Sequence, residues 1–244
     1  MPIDIDMTAP PQFGIEPEEA RAFYLRHGFL IELDVWSDAE CERLNAAALA
    51  FPGPEQGDFT PLMHPHRTDP IFLEALRSHK VVALMEGLMS APLSGLQTEY
   101  FFGVPGTSGF SLHQDNYYIE AKPEVFASVW SALTDVSPEK GGLVIYPGTN
   151  REPILPTRRL PVRTADHNQD PNAANEECVV PPAYTPIDVS LPRGAVVVLH
   201  GHLVHGSHQN RTTLTRNALL STYIVSGERF RPGSYSKRTE VPLH

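Results

Sequence analysis

Hydrophobic positions change their spacing near residue 92. Before it they recur at helical intervals, and the residues around them are those that start helices. Pro17 followed by Glu18 and Glu19 suits a first turn, where proline forfeits no hydrogen bond and acids meet the positive end of the dipole. Ser37-Asp38-Ala39-Glu40 is a capping box that opens a helix running to about Ala50. A Pro- and Gly-rich loop follows from Phe51 to Pro65. Asp69-Pro70 then reads as cap and first residue of a helix carrying Ile71, Leu73 and Leu76, and a further short helix spans Val81 to Met89. Residues 1–92 are therefore expected to form a helical N-terminal part.

From Leu93 onward the apolar runs are short, rich in Val, Phe, Tyr and Leu, and broken by Gly, Pro and Asn. Strands are expected at Leu96–Phe102, Phe110–Ile119, Glu124–Asp135, Leu143–Tyr146, Ala195–His200, Leu203–His208 and Ala218–Val225. Many short strands of this kind suit a sandwich or jelly roll. The expected fold is mainly β with flanking α, as one domain over 1–244 with its core in 93–226. A long irregular stretch, Thr149–Tyr184, interrupts it, and loops of that length are usually lids or disordered segments. Its first half holds Arg151, Arg158, Arg159 and Arg163; its second holds Asp166, Asp170, Glu176 and Glu177. That separation reads either as a frame for a polar substrate, with Asp166 and Asp170 as contacts, or as a solvated surface loop.

Composition narrows the function classes. The net charge of −10 is concentrated at the start, where residues 1–60 set twelve acids against Arg21, Arg26 and Arg43. The rest is nearly neutral and has no basic stripe, which argues against nucleic acid as a partner. No apolar run approaches the roughly 18 residues that span a bilayer, and MPIDIDMTAP lacks the basic-then-apolar pattern of a signal peptide. Cys41 and Cys178 have no metal-like spacing and are read as reduced thiols of a cytoplasmic protein.

The chemistry is carried by His113-Gln114-Asp115, by His205 ninety residues beyond Asp115, and by Arg216 eleven further on. On a strand, residues i and i+2 point the same way. Two ligands on one face plus a distant histidine make a 2-His-1-carboxylate triad, which holds Fe(II) and leaves positions open. His200, His202 and His208 compete with His205, but His205 stands just inside the strand that follows the turn at Gly201. Eleven residues let that strand end, turn through 209–213 and return antiparallel, bringing Arg216 within a small diacid's length of the metal. Its guanidinium suits a bidentate carboxylate contact. Arg211 sits in the expected turn, exposed to solvent.

LHQDNYY, VWSALTD, GGLVIYPGTN, GAVVVLHGHLVHGSHQNRT and RNALLSTYI together resemble the phytanoyl-CoA dioxygenase-like family of Fe(II)/2-oxoglutarate oxygenases, over roughly residues 93–226. The resemblance implies a double-stranded β-helix with flanking helices. It implies iron at His113, Asp115 and His205, and the distal carboxylate of 2-oxoglutarate at Arg216 with help from Ser207. It sets Gln114 and Trp130 at positions facing the cosubstrate, although Trp130 reads equally as a core aromatic. Many relatives carry a lysine or asparagine on the strand before HxD; here Tyr100 or Gln97 would substitute. Halogenases of the family replace the carboxylate with a small residue, and Asp115 is retained.

The expected activity is therefore 2-oxoglutarate- and dioxygen-dependent hydroxylation, oxidative cyclisation or desaturation of a small molecule. Tyr117 and Tyr118 beside the site, and the lack of a basic patch for a nucleotide phosphate, favour a hydrophilic compound over a fatty acyl-CoA. Relatives that tailor natural products make an amino sugar or aminoglycoside the expected class. Two rivals remain: a zinc hydrolase with these same ligands, and a noncatalytic jelly-roll binding module, which would need no metal ligands at all.

Overall fold

The computed structural model describes residues 10–160 and 176–244. Helix α1 (Pro17–His27) leads into strand β1 (Phe29–Glu32), and α2 (Asp38–Leu49) follows. Next come β2 (Leu62–Met63), α3 (Pro70–Leu76), α4 (His79–Met89) and the long β3 (Leu93–Gly103). After one turn of helix, α5 (Asn116–Ile119), lie β4 (Phe126–Ala132), β5 (Leu143–Tyr146), β6 (Thr157–Arg159) and β7 (Glu176–Cys178). The chain closes with β8 (Ile187–Asp188), β9 (Val196–His200), β10 (Val204–Ser207), β11 (Arg216–Val225) and β12 (Val241–Pro242).

The strands form a major sheet, β1-β9-β4-β11-β3-β12 with β2 also on β3, and a minor sheet, β10-β5-β8. Strand parity decides what each side chain meets. Val196 and Val198 of β9, Ala127 and Val129 of β4, Leu219 and Tyr223 of β11 and Tyr100 and Phe102 of β3 pack against the helices, meeting Tyr24, Leu44, Phe72, Leu76 and Met85. The alternate residues Val197, Leu199, Trp130, Ala132 and Ala218 face Leu143 and Ile145 of the minor sheet. Each large apolar side chain so buried stabilises the fold by roughly 1.5–3 kcal/mol. Two faced sheets with helices outside one of them constitute a double-stranded β-helix.

The helix signals hold. Ser37 accepts from the Glu40 amide while the Glu40 carboxylate takes the Ser37 amide, and Asp69 caps α3 through the Ile71 amide. The first ninety residues are nonetheless not all helical. Phe29–Glu32 pairs antiparallel with β9, Phe29 opposite Leu199, and Leu62 and Met63 pair with Tyr100 and Glu99. Four residues are too few to display a period, and a strand partner far along the chain determines their conformation.

Phe110–Ile119 is not a strand. His113 makes an isolated bridge with His205, and Asp115 has the helical angles φ −55, ψ −37 that start α5. Only part of the long loop's charge pattern falls on described residues. β6 and β7 pair antiparallel, and across them Arg158 Nη2 lies 2.5 Å from Glu177 Oε2. Arg163, Asp166 and Asp170 lie outside the described residues. Both cysteines are free and buried. Among the described residues no helix is long and apolar enough to cross a membrane.

Candidate metal centre

His113, Asp115 and His205 offer one ligand atom each, all within 4.8 Å of one another. Asp115 Oδ1 lies 3.5 Å from His113 Nε2 and 3.8 Å from His205 Nε2. The convergence has a different origin from strand parity. Backbone bonds in both directions, His113 N to His205 O at 2.8 Å and the reverse at 3.0 Å, set the two histidines side by side. The helical turn at Asp115 then folds its carboxylate back between them.

Each donor is oriented by a neighbour. His113 Nδ1 lies 2.8 Å from the Ser111 carbonyl, and His205 Nδ1 3.1 Å from the Leu203 carbonyl. A carbonyl only accepts, so both Nδ1 atoms carry the proton and both Nε2 lone pairs face inward, the tautomer a metal requires. The Ser128 hydroxyl donates to Asp115 Oδ2 at 2.6 Å, leaving Oδ1 for the centre.

Electrostatics follow from the packing. Burial pushes the Asp115 carboxyl up, but the His205 and His113 imidazoles and the Ser128 hydroxyl outweigh it and keep the group well below the usual carboxylate range. Burial, reinforced by His113, pulls His205 down to about 4. For His113 burial also acts downward, but the bond and charge of Asp115 and the Ser111 carbonyl prevail, and the imidazole is raised.

The triad lines a cavity of about 430 Å³ that Gln97, Glu99, Phe101, Trp130, Ser207 and Arg216 also line. Arg216 is only 5% exposed, its Nε has no hydrogen-bond partner among the described residues, and its guanidinium carbon lies 5.6 Å from the Trp130 ring centroid. Burial draws its pKa down to about 10, which leaves it charged at neutral pH. β10 and β11 are not neighbours: the chain crosses from the minor to the major sheet, so Arg216 approaches from the opposite wall rather than from an adjacent strand. Room for it depends on Gly103, where a Cβ would lie 2.3 Å from the Arg216 carbonyl oxygen and 3.1 Å from Nε. Ser207 Oγ accepts from the Phe110 amide at 2.9 Å and keeps its own proton to donate.

Three expected contacts are not in the cavity. Tyr100 has the parity of Phe102, not of Gln97 and Glu99, so it lies in the helix-side core with its hydroxyl on Asn45 Oδ1 at 2.7 Å. Gln114 is fully buried with every end engaged: its amide nitrogen donates to His202 O and Pro153 O, and its oxygen accepts from Leu155 N. It braces the turn behind the triad instead of facing a cosubstrate. Tyr117 turns outward to Glu176 Oε2 at 2.9 Å, while Tyr118 lines the wall. Among the clustered histidines, His202 spends both ring nitrogens, on Asn116 and on the Glu152 carbonyl. His200 faces Glu124, and His208 lies 2.6 Å from Asp188. Arg211 is exposed.

Ser128, Glu99, Thr222 and Arg238 were not anticipated. The first two had a visible signal, since Ser128 is two residues from Trp130 and Glu99 two from Gln97, hence on the same strand faces. Arg238 had none: it comes from the C-terminal segment, which follows the last motif.

The family model for phytanoyl-CoA dioxygenase (PhyH) matches residues 24–218. Phytanoyl-CoA dioxygenase domain-containing protein 1 of Bos taurus is 31% identical over 184 residues, covering 73% of this chain and 62% of that protein. Phytanoyl-CoA dioxygenase 1 of Oryza sativa is 28% identical over 164 residues, 67% of this chain and 56% of the relative. The chain thus spans about three fifths of the length of the curated relatives it matches. Among solved structures, the epimerase SnoN in complex with Fe3+, alpha ketoglutarate and nogalamycin RO superposes with a TM-score of 0.73 at 20% identity, covering 93% of this chain and 95% of SnoN. By the match of the family model, the chain belongs to the phytanoyl-CoA dioxygenase family.

Proposed function

We propose that this chain is a non-haem Fe(II)/2-oxoglutarate-dependent oxygenase that oxidises a C–H bond of a small polar metabolite, of the amino-sugar or aminoglycoside kind. The observation that carries the reading is the pairing of a three-donor centre with a buried guanidinium, whose Nε bonds no acceptor among the described residues, on the wall of one cavity. His113, Asp115 and His205 would hold the metal; two imidazoles and a carboxylate with open positions are the donor set for ferrous iron. Arg216 would take the distal carboxylate of 2-oxoglutarate, with the Ser207 hydroxyl as a second donor. A guanidinium so buried is costly until an anion meets it, which fits a dicarboxylate better than either rival. Nothing in zinc-assisted hydrolysis itself calls for Arg216, and a noncatalytic module has no need of the triad.

Bound iron supplies the coupling of dioxygen to decarboxylation of the 2-oxo acid, which gives succinate, carbon dioxide and an oxidant for the substrate. The chain's own residues do the rest. Ser111, Leu203 and Ser128 hold the donors in their binding states, Arg216 over Trp130 fixes the orientation of the diacid, and Phe101, Phe110, Phe126, Leu143 and Leu220 exclude water from the reacting region. SnoN, with its bound nogalamycin RO, lends support to a natural-product substrate. The test is reconstitution with Fe(II), 2-oxoglutarate and air. Succinate formation that zinc cannot support and that a polar metabolite stimulates is expected; equal turnover of a hydrolysable substrate with zinc would favour the rival.

A further inference from the structure

The C-terminal segment after β11 closes one end of the cavity, where Arg231, Gly233, Ser236 and Arg238 join the lining. It is firmly held. The Arg231 amide donates to Ile119 O, Arg67 Nη2 donates to Lys237 O at 2.8 Å, and β12 pairs Val241 with Gly95. Between these anchors the amides of Lys237 and Arg238 bond to Gly233 O and Pro232 O in a compact turn. That turn aims Arg238 at the inner face of the major sheet.

The two arginines of this segment are used differently. Arg231 pairs with Glu120 at 2.5 Å. Arg238 is about half-buried and forms no ion pair among the described residues. Its Nε donates to Gln97 Oε1 at 2.7 Å, and Nη1 makes longer contacts to the Tyr118 and Pro232 carbonyls at 3.4 and 3.5 Å. The Gln97 amide in turn donates to Glu99 Oε2 at 3.2 Å, so Gln97 orients Arg238 without neutralising it. Nη2, with two more N–H donors, bonds no acceptor among the described residues. Burial lowers the Arg238 pKa despite the attraction of Asp115 and Glu99. Fastening the segment to neutral acceptors requires no buried charge.

A second group at the same place lacks a partner. Thr222 lines the cavity, and its buried Oγ1 bonds nothing among the described residues. Thr222 is opposite Gln97 on one side and Ser128 on the other, within one strand spacing of Asp115's own hydrogen-bond partner. Arg216 is six residues away on the same strand, roughly 20 Å at about 3.4 Å per residue. A cation thus marks each end of the cavity, and only one of them is used by the diacid.

We propose that Arg238 and the Thr222 hydroxyl together receive a carboxylate of the molecule that is oxidised. The substrate is then a polar compound, an amino sugar included, that also carries an acid group. This deepens the oxygenase reading and rests on it only for what happens after binding.

The test uses one sugar frame at three charges: D-glucuronate, D-glucuronamide and D-glucosamine. Each is titrated calorimetrically, without oxygen, into the full chain loaded with Fe(II) and 2-oxoglutarate. Wild type is expected to bind the acid about tenfold or more tighter than the amide or amine, as a charge-assisted pair demands. Arg238→Gln should abolish that ratio, and Arg238→Lys should restore part of it; Arg229→Gln, exposed on the same segment, should leave it intact. A merely structural Arg238 would weaken acid and amide alike and keep the ratio. Glucuronate binding no tighter than its amide or amine, or a preference that survives Arg238→Gln, overturns the proposal. Acid preference without any 2-oxoglutarate binding would refute the oxygenase reading alone and still support this site.

Discussion

Arg216→Met is the perturbation that best separates a cosubstrate anchor from a structural arginine. The side chain is 5% exposed, and among the described residues its Nε bonds no acceptor and no carboxylate pairs with it. Truncating one partner of a buried charged pair costs about 2–5 kcal/mol, and about 1.4 kcal/mol is tenfold. The dissociation constant for 2-oxoglutarate should therefore rise roughly thirty- to several-thousand-fold. In a melt of metal-loaded protein at 100 times the wild-type constant, the ligand stabilises by about 2.7 kcal/mol. For a chain of this length that is a rise of about 5–11 °C, at about 2–4 °C per kcal/mol. At the same concentration the variant keeps at most about 0.9 kcal/mol, or roughly 2–4 °C. Without ligand the variant should melt no lower than wild type, because methionine removes a desolvation cost of several kcal/mol and forfeits about 0.5–2 kcal/mol of cation–π attraction to Trp130. Differential scanning fluorimetry reads all of this, with exposed Arg211→Met as control. An undiminished 2-oxoglutarate shift in Arg216→Met would refute the reasoning.

Three further outcomes are expected. His205→Ala should lose Fe(II) by equilibrium dialysis, whereas His202→Ala should melt earlier yet retain the metal, since His202 braces Asn116 and the Glu152 carbonyl; the reverse pattern would move the centre. Ser128→Ala should weaken metal affinity by about 10–100-fold, the usual effect of removing a ligand's hydrogen-bond partner, and an unchanged dialysis isotherm would make that bond incidental. Metal affinity should fall as pH drops through and below the range where the raised His113 imidazole takes up its proton, because proton and metal compete for Nε2; affinity that strengthened toward acid would contradict the sign.

Local signals read from the chain proved sound wherever the determining contact was local. Ser37 with Glu40, and Asp69 with Ile71, form their caps within a few residues, and both are present. The convergence of His113, Asp115, His205 and Arg216 on one cavity was also legible, because few residue types suit a metal or a carboxylate and their spacing singled these out. What escaped was determined by tertiary partners. Strand β1 exists because β9 lies beside it, and the turn at Asp115 exists because His113 is tied to His205. Tyr100 went astray on parity: one residue's displacement along β3 exchanges the cavity for the helix-side core. Arg238 lies beyond every motif, and only the path of the C-terminal segment across the cavity brings it in.

The central claim is most directly tested by isotope. The chain, Fe(II), 2-oxoglutarate and a stimulating polar metabolite are incubated under 18O2, and the succinate is analysed by mass spectrometry. One labelled oxygen atom in each succinate, lost together with turnover in Asp115→Ala, is the expected result. Product formed without succinate, or succinate free of label and indifferent to Asp115, would contradict it.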